Sequence, residues 1–182
     1  MTKELGPYED NMDDWNESYG ILRAMWISQF VPKVGKLLDV AGYHGDLKKY
    51  ISKDINYNLI DLFAPLSVNG ISWDLDKTPL PYSDREFDTI VALDIFEHIK
   101  KPFELLNEIR RILKDDGLLI TSRHLVPTKR HYFDITEAFF EDWKIMKRIP
   151  MAEATYREGE KLNTTLMLTP YPTEVFYLMR KT

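Results

Sequence analysis

The chain has 182 residues and a mass of 21.5 kDa, which suits one domain with a sizeable core and leaves little for a second. A formal charge of -5 and a pI of about 5.4 give no global attraction to nucleic acid or to an anionic membrane. The absence of cysteine excludes disulfides, thiolate chemistry and cysteine-bound zinc.

Residues 1–12 are polar and acidic and predict a flexible tail, with 13–182 forming the single domain. The N-terminus has no apolar run of the signal-peptide kind, and no stretch reaches the roughly 20 apolar residues of a membrane span. A soluble, cytoplasmic protein is expected. From Asp13 to Phe30 the residues Trp15, Tyr19, Leu22, Trp26 and Phe30 recur three or four apart, which predicts a helix that Pro32 stops. Its aromatic face packs on a sheet or closes over a ligand.

Val34 to Val40 reads as the first strand and Asp46 to Ser52 as the first helix. Strands follow at Asn56–Leu62, Asn69–Leu75 and Phe87–Asp94, the last with the near-continuous apolar centre of a parallel strand covered on both faces. Pro102 opens a helix to Leu113, with Phe103, Leu106, Ile109, Ile112 and Leu113 on its buried side and Gly117 as its C′ residue. Leu118–Ser122 is the fifth strand. One more helix, 135–143, is entered at Thr136. Lys144–Ile149, Leu162–Leu168 and Glu174–Met179 are strand-like, two of them pairing antiparallel at the sheet edge, and Ala152–Lys161 is a polar, mobile turn. Alternation of strand and helix at short spacing predicts an α/β, doubly wound, mostly parallel sheet.

Chemistry is concentrated where strands end. Asp39, Asp61, Asp74 and Asp94 each close a predicted strand, so a parallel sheet brings four carboxylates to one rim. Single acids there often cap helices or bind backbone N–H groups. A carboxylate after the second strand can also accept both hydroxyls of a ribose. The turn after the first strand, Ala41-Gly42-Tyr43-His44-Gly45, is the small-residue turn at which such a sheet holds a nucleotide-like ligand.

These features resemble the class I S-adenosylmethionine-dependent methyltransferases of small-molecule type. The resemblance is strongest over L-P-Y-S-D-R-E-F-D-T-I-V-A-L-D-I-F-E-H-I, Leu80–Ile99, and the helix and strand that follow, to Ser122. It implies a Rossmann-like fold with a seven-stranded sheet and an antiparallel C-terminal strand, and S-adenosyl-L-methionine as cofactor. Carried over residue by residue, it implies that Asp39 orients the turn facing the methionine part, with Ala41, Gly42, Tyr43 and Gly45 forming that turn. Asp61, beside Leu62, would hold the ribose. Asp74, or less readily Asp76, would approach the adenine amino group with Leu75 beside the ring, and Asp94 would line the sulfonium end. The chain departs from the family at Tyr43, where a glycine is usual; a side chain there either crowds the cofactor or builds a new wall. In a left-handed conformation it would cost about 1–2 kcal/mol.

Asp94, His98 and His131 are the candidate acid–base groups, since an unperturbed imidazole titrates near pH ~6.5. Glu97 and His98 equally suit capping and packing roles. The loop Arg123–Asp134, with Arg123, His124, Lys129, Arg130 and His131 near Tyr132, overlies the same rim and suits an anionic acceptor. His124 and His131 alone do not make a metal site. The expected partner is a small or medium acceptor methylated on oxygen or nitrogen, with a homo-oligomer open. Two other readings compete: a non-catalytic relative that binds a partner, favoured by Tyr43, and a nicotinamide-dependent oxidoreductase, which the missing G-x-G-x-x-G disfavours.

Overall fold

The computed structural model of the chain describes residues 17–125, 131–158, 161–168 and 172–182. The expected tail, 1–12, and Trp15 lie outside them, as does the side chain of Tyr19. The strands are β1 (Gly35–Val40), β2 (Ile55–Asp61), β3 (Gly70–Ser72), β4 (Phe87–Ala92), β5 (Leu113–His124), β6 (Trp143–Glu158), β7 (Lys161–Leu168) and β8 (Glu174–Lys181). They form one sheet in the order β3-β2-β1-β4-β5-β8-β6-β7. β1 to β5 pair in parallel, β8 runs against β5, and β6 runs against β8. The expected seven-stranded plan with its antiparallel C-terminal strand is thus present. β7 extends it at the edge as the return strand of a hairpin with β6.

Alternating side chains divide the core in two, as the two-residue period of a strand requires. Leu37, Leu59, Val91, Ile120 and Phe176 share a cluster with Ala24 and Ile27 of helix α1 (Glu17–Ile27). Leu38, Ile60, Ile90, Leu119 and Tyr177 share the other with Leu105, Ile109 and Ile112 of helix α2 (Pro102–Ile112). No helix among the described residues is long and apolar enough to cross a membrane.

Several local expectations are corrected. The helix expected over Asp46–Ser52 is a single 3₁₀ turn, Asp46–Lys49. Left-handed Gly45 immediately precedes it, and β2 begins at Ile55, so there is no length for more. The helix expected over 135–143 is likewise one 3₁₀ turn, Glu137–Phe140, and Thr136 makes no capping hydrogen bond from its side chain. The third strand keeps only Gly70–Ser72, leaving Asp74 beyond its end. Phe103 is 63 % exposed: Pro102 takes the inward position of the first turn, and one step of about 100° turns Phe103 away. Gly117 does not cap α2. The helix ends at Leu113, whose φ of -76° and ψ of 140° start β5 directly. Gly117 sits inside β5, where a Cβ would stand 2.6 Å from Leu113 Cδ1. The segment Ala152–Glu158 is strand rather than turn, while Gly159 lies outside the described residues.

The amino-terminal rim of the sheet is tied by polar contacts. Lys36 pairs with Glu86 at 2.5 Å and Lys114 with Asp88 at 2.6 Å. The Lys36 N–H donates to Asp88 (2.8 Å), and Lys181 Nζ to the Leu113 carbonyl (2.5 Å). The N–H groups of Arg85 and Glu86 donate to the carbonyls of Arg111 and Ile112 at the end of α2.

The corrected helix face is testable. Ile109 is fully buried, so Ile109→Ala should cost about 2–5 kcal/mol in denaturant unfolding. Phe103→Ala, which loses mainly a ring contact with Phe139 at 4.8 Å, should cost about 1 kcal/mol or less. Equal losses would put Phe103 back on the buried face.

Candidate functional site

At the opposite rim, the carboxyl ends of β1 and β2 are joined through one side chain. Asp61 Oδ2 accepts the N–H of Tyr43 (3.0 Å) and Asp61 Oδ1 that of Phe63 (3.0 Å). The Ala41 N–H extends the β1–β2 ladder to the Ile60 carbonyl (2.8 Å). The turn so held is tight: φ is +58° at Ala41, +47° at Tyr43 and +74° at Gly45. Only Gly45 suits that region without strain, so Ala41 and Tyr43 each carry the penalty expected of a side chain there. Asp61 holds the strained Tyr43 peptide in place.

Gly42 is required for a different reason. A Cβ on it would lie 2.5 Å from Asp39 Cγ. The Asp39 carboxylate is therefore roofed by the backbone of the turn, and Oδ2 accepts the hydroxyl of Tyr57 at 2.6 Å. Burial pushes this carboxyl up to about 7, against the hydrogen bond from Tyr57 and with help from the charges of Asp61 and Asp46.

Asp39, Ala41, Gly42, Tyr43 and Asp94 line one hollow, which Arg23 of α1 closes from above. Tyr43 is among its lining residues, its ring 3.7 Å from that of His44. Asp61 stands behind the turn, and Gly45 is buried against Val68 and Leu59. The other predicted contacts lie apart from the hollow. Leu62 is exposed, Leu75 is buried in the α2-side core, and Asp74 Oδ1 accepts the N–H of Asp76 (3.1 Å). Asp76 in turn accepts the N–H groups of Lys100 and Lys101 just before α2.

A second group of charges lies where β4 and β5 end and β8 begins. Asp94 is buried, has φ of +53°, and donates its N–H to Ser122 Oγ (3.0 Å). Arg23 Nη1 lies 3.3 Å from Asp94 Oδ2 and 3.2 Å from Glu174 Oε1, while His124 Nε2 is 2.7 Å from Asp94 Oδ1. Burial alone would raise the Asp94 carboxyl; Arg23 and His124 outweigh it and hold the group well below the usual range. Burial works to lower His124, but the contact with Asp94 wins and pushes it up to about 9. Glu97 is raised to about 7 by burial and by the Asp94 charge, and its Oε1 accepts the His124 N–H at 3.1 Å.

The predicted His98 and His131 do come together, with ring centroids 5.1 Å apart; His131 and His124 are 5.6 Å apart. Burial and the neighbouring imidazoles lower His131. The residues described from the expected anion-binding loop do not form an open basic surface. Arg123 turns inward to the Tyr177 hydroxyl (2.9 Å) and the Ile135 carbonyl (3.1 Å), and Lys129 and Arg130 lie outside the described residues. Sequence reasoning missed Arg23 and Glu174. The one available signal was a lone charge in each of two apolar runs, I-L-R-A-M-W-I and E-V-F-Y-L-M.

Two outcomes are expected from the turn. The folded Asp39 carboxyl titrates near 7 and the unfolded one near ~3.9, so the folded state holds the extra proton and stability falls as pH rises from about 4 to 7. Asp39→Asn removes that slope and should be stabilised relative to the parent at pH ~8 by about 2–4 kcal/mol more than at pH ~4, read from urea melts. Tyr43→Gly should raise the melting temperature by about 2–4 °C, and Gly42→Ala should lower it.

Comparison with known proteins agrees with this architecture. Residues 34–121 match the family model described as a methyltransferase domain. An uncharacterised protein of Methanocaldococcus jannaschii is 39% identical over 69 residues, 38% of this chain and 28% of that one. The ubiquinone/menaquinone biosynthesis C-methyltransferase of Roseobacter denitrificans is 31% identical over 106 residues, 49% of this chain and 42% of that one. The chain thus spans less than half the length of these curated relatives. The Burkholderia thailandensis 1,6-didemethyltoxoflavin-N1-methyltransferase, solved with its substrate and S-adenosylhomocysteine, superposes with a TM-score of 0.65 over 96% of this chain and 84% of its own, at 16% identity. That likeness concerns the fold. The conclusion is that residues 34–121 of this chain are similar to a methyltransferase domain, and that its strand order has the fold of the S-adenosylmethionine-dependent methyltransferases.

Proposed function

We propose that the protein transfers the methyl group of S-adenosylmethionine to an oxygen or nitrogen of a small or medium acceptor. The observation that carries this reading is the Asp61 carboxylate, which fixes the 41–45 turn beside the hollow at the carboxyl rim of the parallel strands. Each Asp61 oxygen accepts one backbone N–H and keeps a further lone pair, so the group can also accept ribose hydroxyls. Asp39 orients the turn from below. Gly42 lets the backbone approach the methionine part without a side chain between.

Bound there, S-adenosylmethionine supplies an electrophilic methyl on a sulfonium. The chain's own contribution is to orient the acceptor in line with it and to exclude water, the larger share of catalysis for such a displacement. Asp94 lines the same hollow, and the His98–His131 pair, close to His124 at the ends of β4 and β5, is the base this reading assigns to an acceptor proton. The 1,6-didemethyltoxoflavin bound by the Burkholderia enzyme of the same fold supports a small-molecule acceptor. The non-catalytic alternative rested on Tyr43 obstructing the site, and its place among the residues lining the hollow favours the enzyme.

Calorimetric titration with S-adenosylhomocysteine tests the reading. Saturable binding is expected, and Asp61→Ala should weaken it at least tenfold, about 1.4 kcal/mol. A folded parent protein that shows no saturable binding would sink it in favour of the partner-binding relative.

A further inference from the structure

We propose that Asp94, Glu97 and His124 form a binding site for one divalent first-row transition-metal ion, of the Mn²⁺ or Zn²⁺ kind. One ligand atom from each residue lies within 4.8 Å of the other two. Ligands about 2.1 Å from a common ion stand ~3.4 Å apart in tetrahedral geometry, so side-chain shifts on the order of an ångström complete the set. Two carboxylates and one imidazole suit such an ion better than Ca²⁺ or Mg²⁺, which favour oxygen alone.

Two features point to a ligand rather than to a self-sufficient ion pair. Glu97 is 1 % exposed, and its Oε2 has no hydrogen-bond partner. Asp94 Oδ1 lies in the same cluster, with His124 Nε2 2.7 Å away. Buried polar atoms in native structures are almost always satisfied, and each orphan costs on the order of 1–3 kcal/mol. The second feature is charge. Among the described residues, Asp94, Glu97 and Glu174 are three buried carboxylates beside one buried guanidinium, that of Arg23. A divalent cation set among these carboxylates would give Glu97 Oε2 the partner it lacks.

The surroundings already orient the ligands. The Asp94 N–H is fixed on Ser122 Oγ, Glu97 Oε1 on the His124 N–H, and His124 on β8 through its pairing with Glu174. Such supports are what metal ligands need from their neighbours. Three protein ligands leave positions open, as in catalytic rather than structural sites. Asp94 also lines the hollow, so the ion would sit at its edge. This site stands independently of the methyl-transfer reading.

The test uses the full chain, stripped with chelator and titrated calorimetrically with ZnCl₂ and with MnCl₂. Binding of one ion per chain is expected. Glu97→Gln and His124→Ala should each weaken it at least tenfold, and the visible absorption of the Co²⁺-loaded protein should change in His124→Ala. Circular dichroism and S-adenosylhomocysteine binding, measured on the same samples, report folding and the cofactor site separately. Absence of saturable binding up to ~1 mM metal by a folded protein overturns the proposal. So does binding that both folded variants retain unchanged, because the ion would then be held elsewhere.

Discussion

The site depends on one carboxylate with two backbone obligations. Asp61 closes β2, yet its oxygens are engaged by N–H groups from the turn after β1 and from the segment after β2. Without that clamp the positive φ at Ala41 and Tyr43 would relax, because nothing local favours it for residues with a Cβ. The hollow is a product of this tension. Asp39 and the turn line it, Arg23 covers it, and a methyl on Gly42 would collide with the Asp39 carboxylate. Strain at this rim is held by the regular ladder beneath it, where β1 is paired on both sides by β2 and β4.

A second constraint lies one strand further along. Buried charge where β4 and β5 end and β8 begins is arranged around Arg23, which reaches down from α1 to Asp94 and Glu174. The helix is thereby coupled to the wall of the hollow by a desolvated ion pair as well as by apolar packing of Ala24 and Ile27. Removing either partner would leave an uncompensated buried charge, a far larger penalty than the pair's own net worth. The same residues that shape this end of the hollow thus hold the covering helix in place.

Much of the fold could be read from local pattern. Strands with alternating or continuous apolar runs declare themselves, and Asp39, Asp61 and Asp94 were found because they follow such runs. Helices were harder. D-L-K-K-Y-I has helical composition but sits between a left-handed glycine and an early strand, so only one turn forms. Phe103 looked inward because its spacing to Leu106 and Ile109 fits, but Pro102 already fills that place. The association of Arg23, Asp94, Glu97, His124 and Glu174 left almost no trace in the sequence. It arises from the antiparallel register that sets His124 opposite Glu174, 50 positions away, and no periodicity encodes such a register.

The junction of α2 with β5 has an evolutionary corollary. Helix passes into strand at Leu113 with no linker residue between them, and the adjoining rim is laced by Lys36, Glu86, Asp88, Lys114 and Lys181. Insertions have nowhere to go on that side without tearing several ties at once. Added length is accommodated more readily at the opposite side, where longer connections such as 93–101 separate the elements.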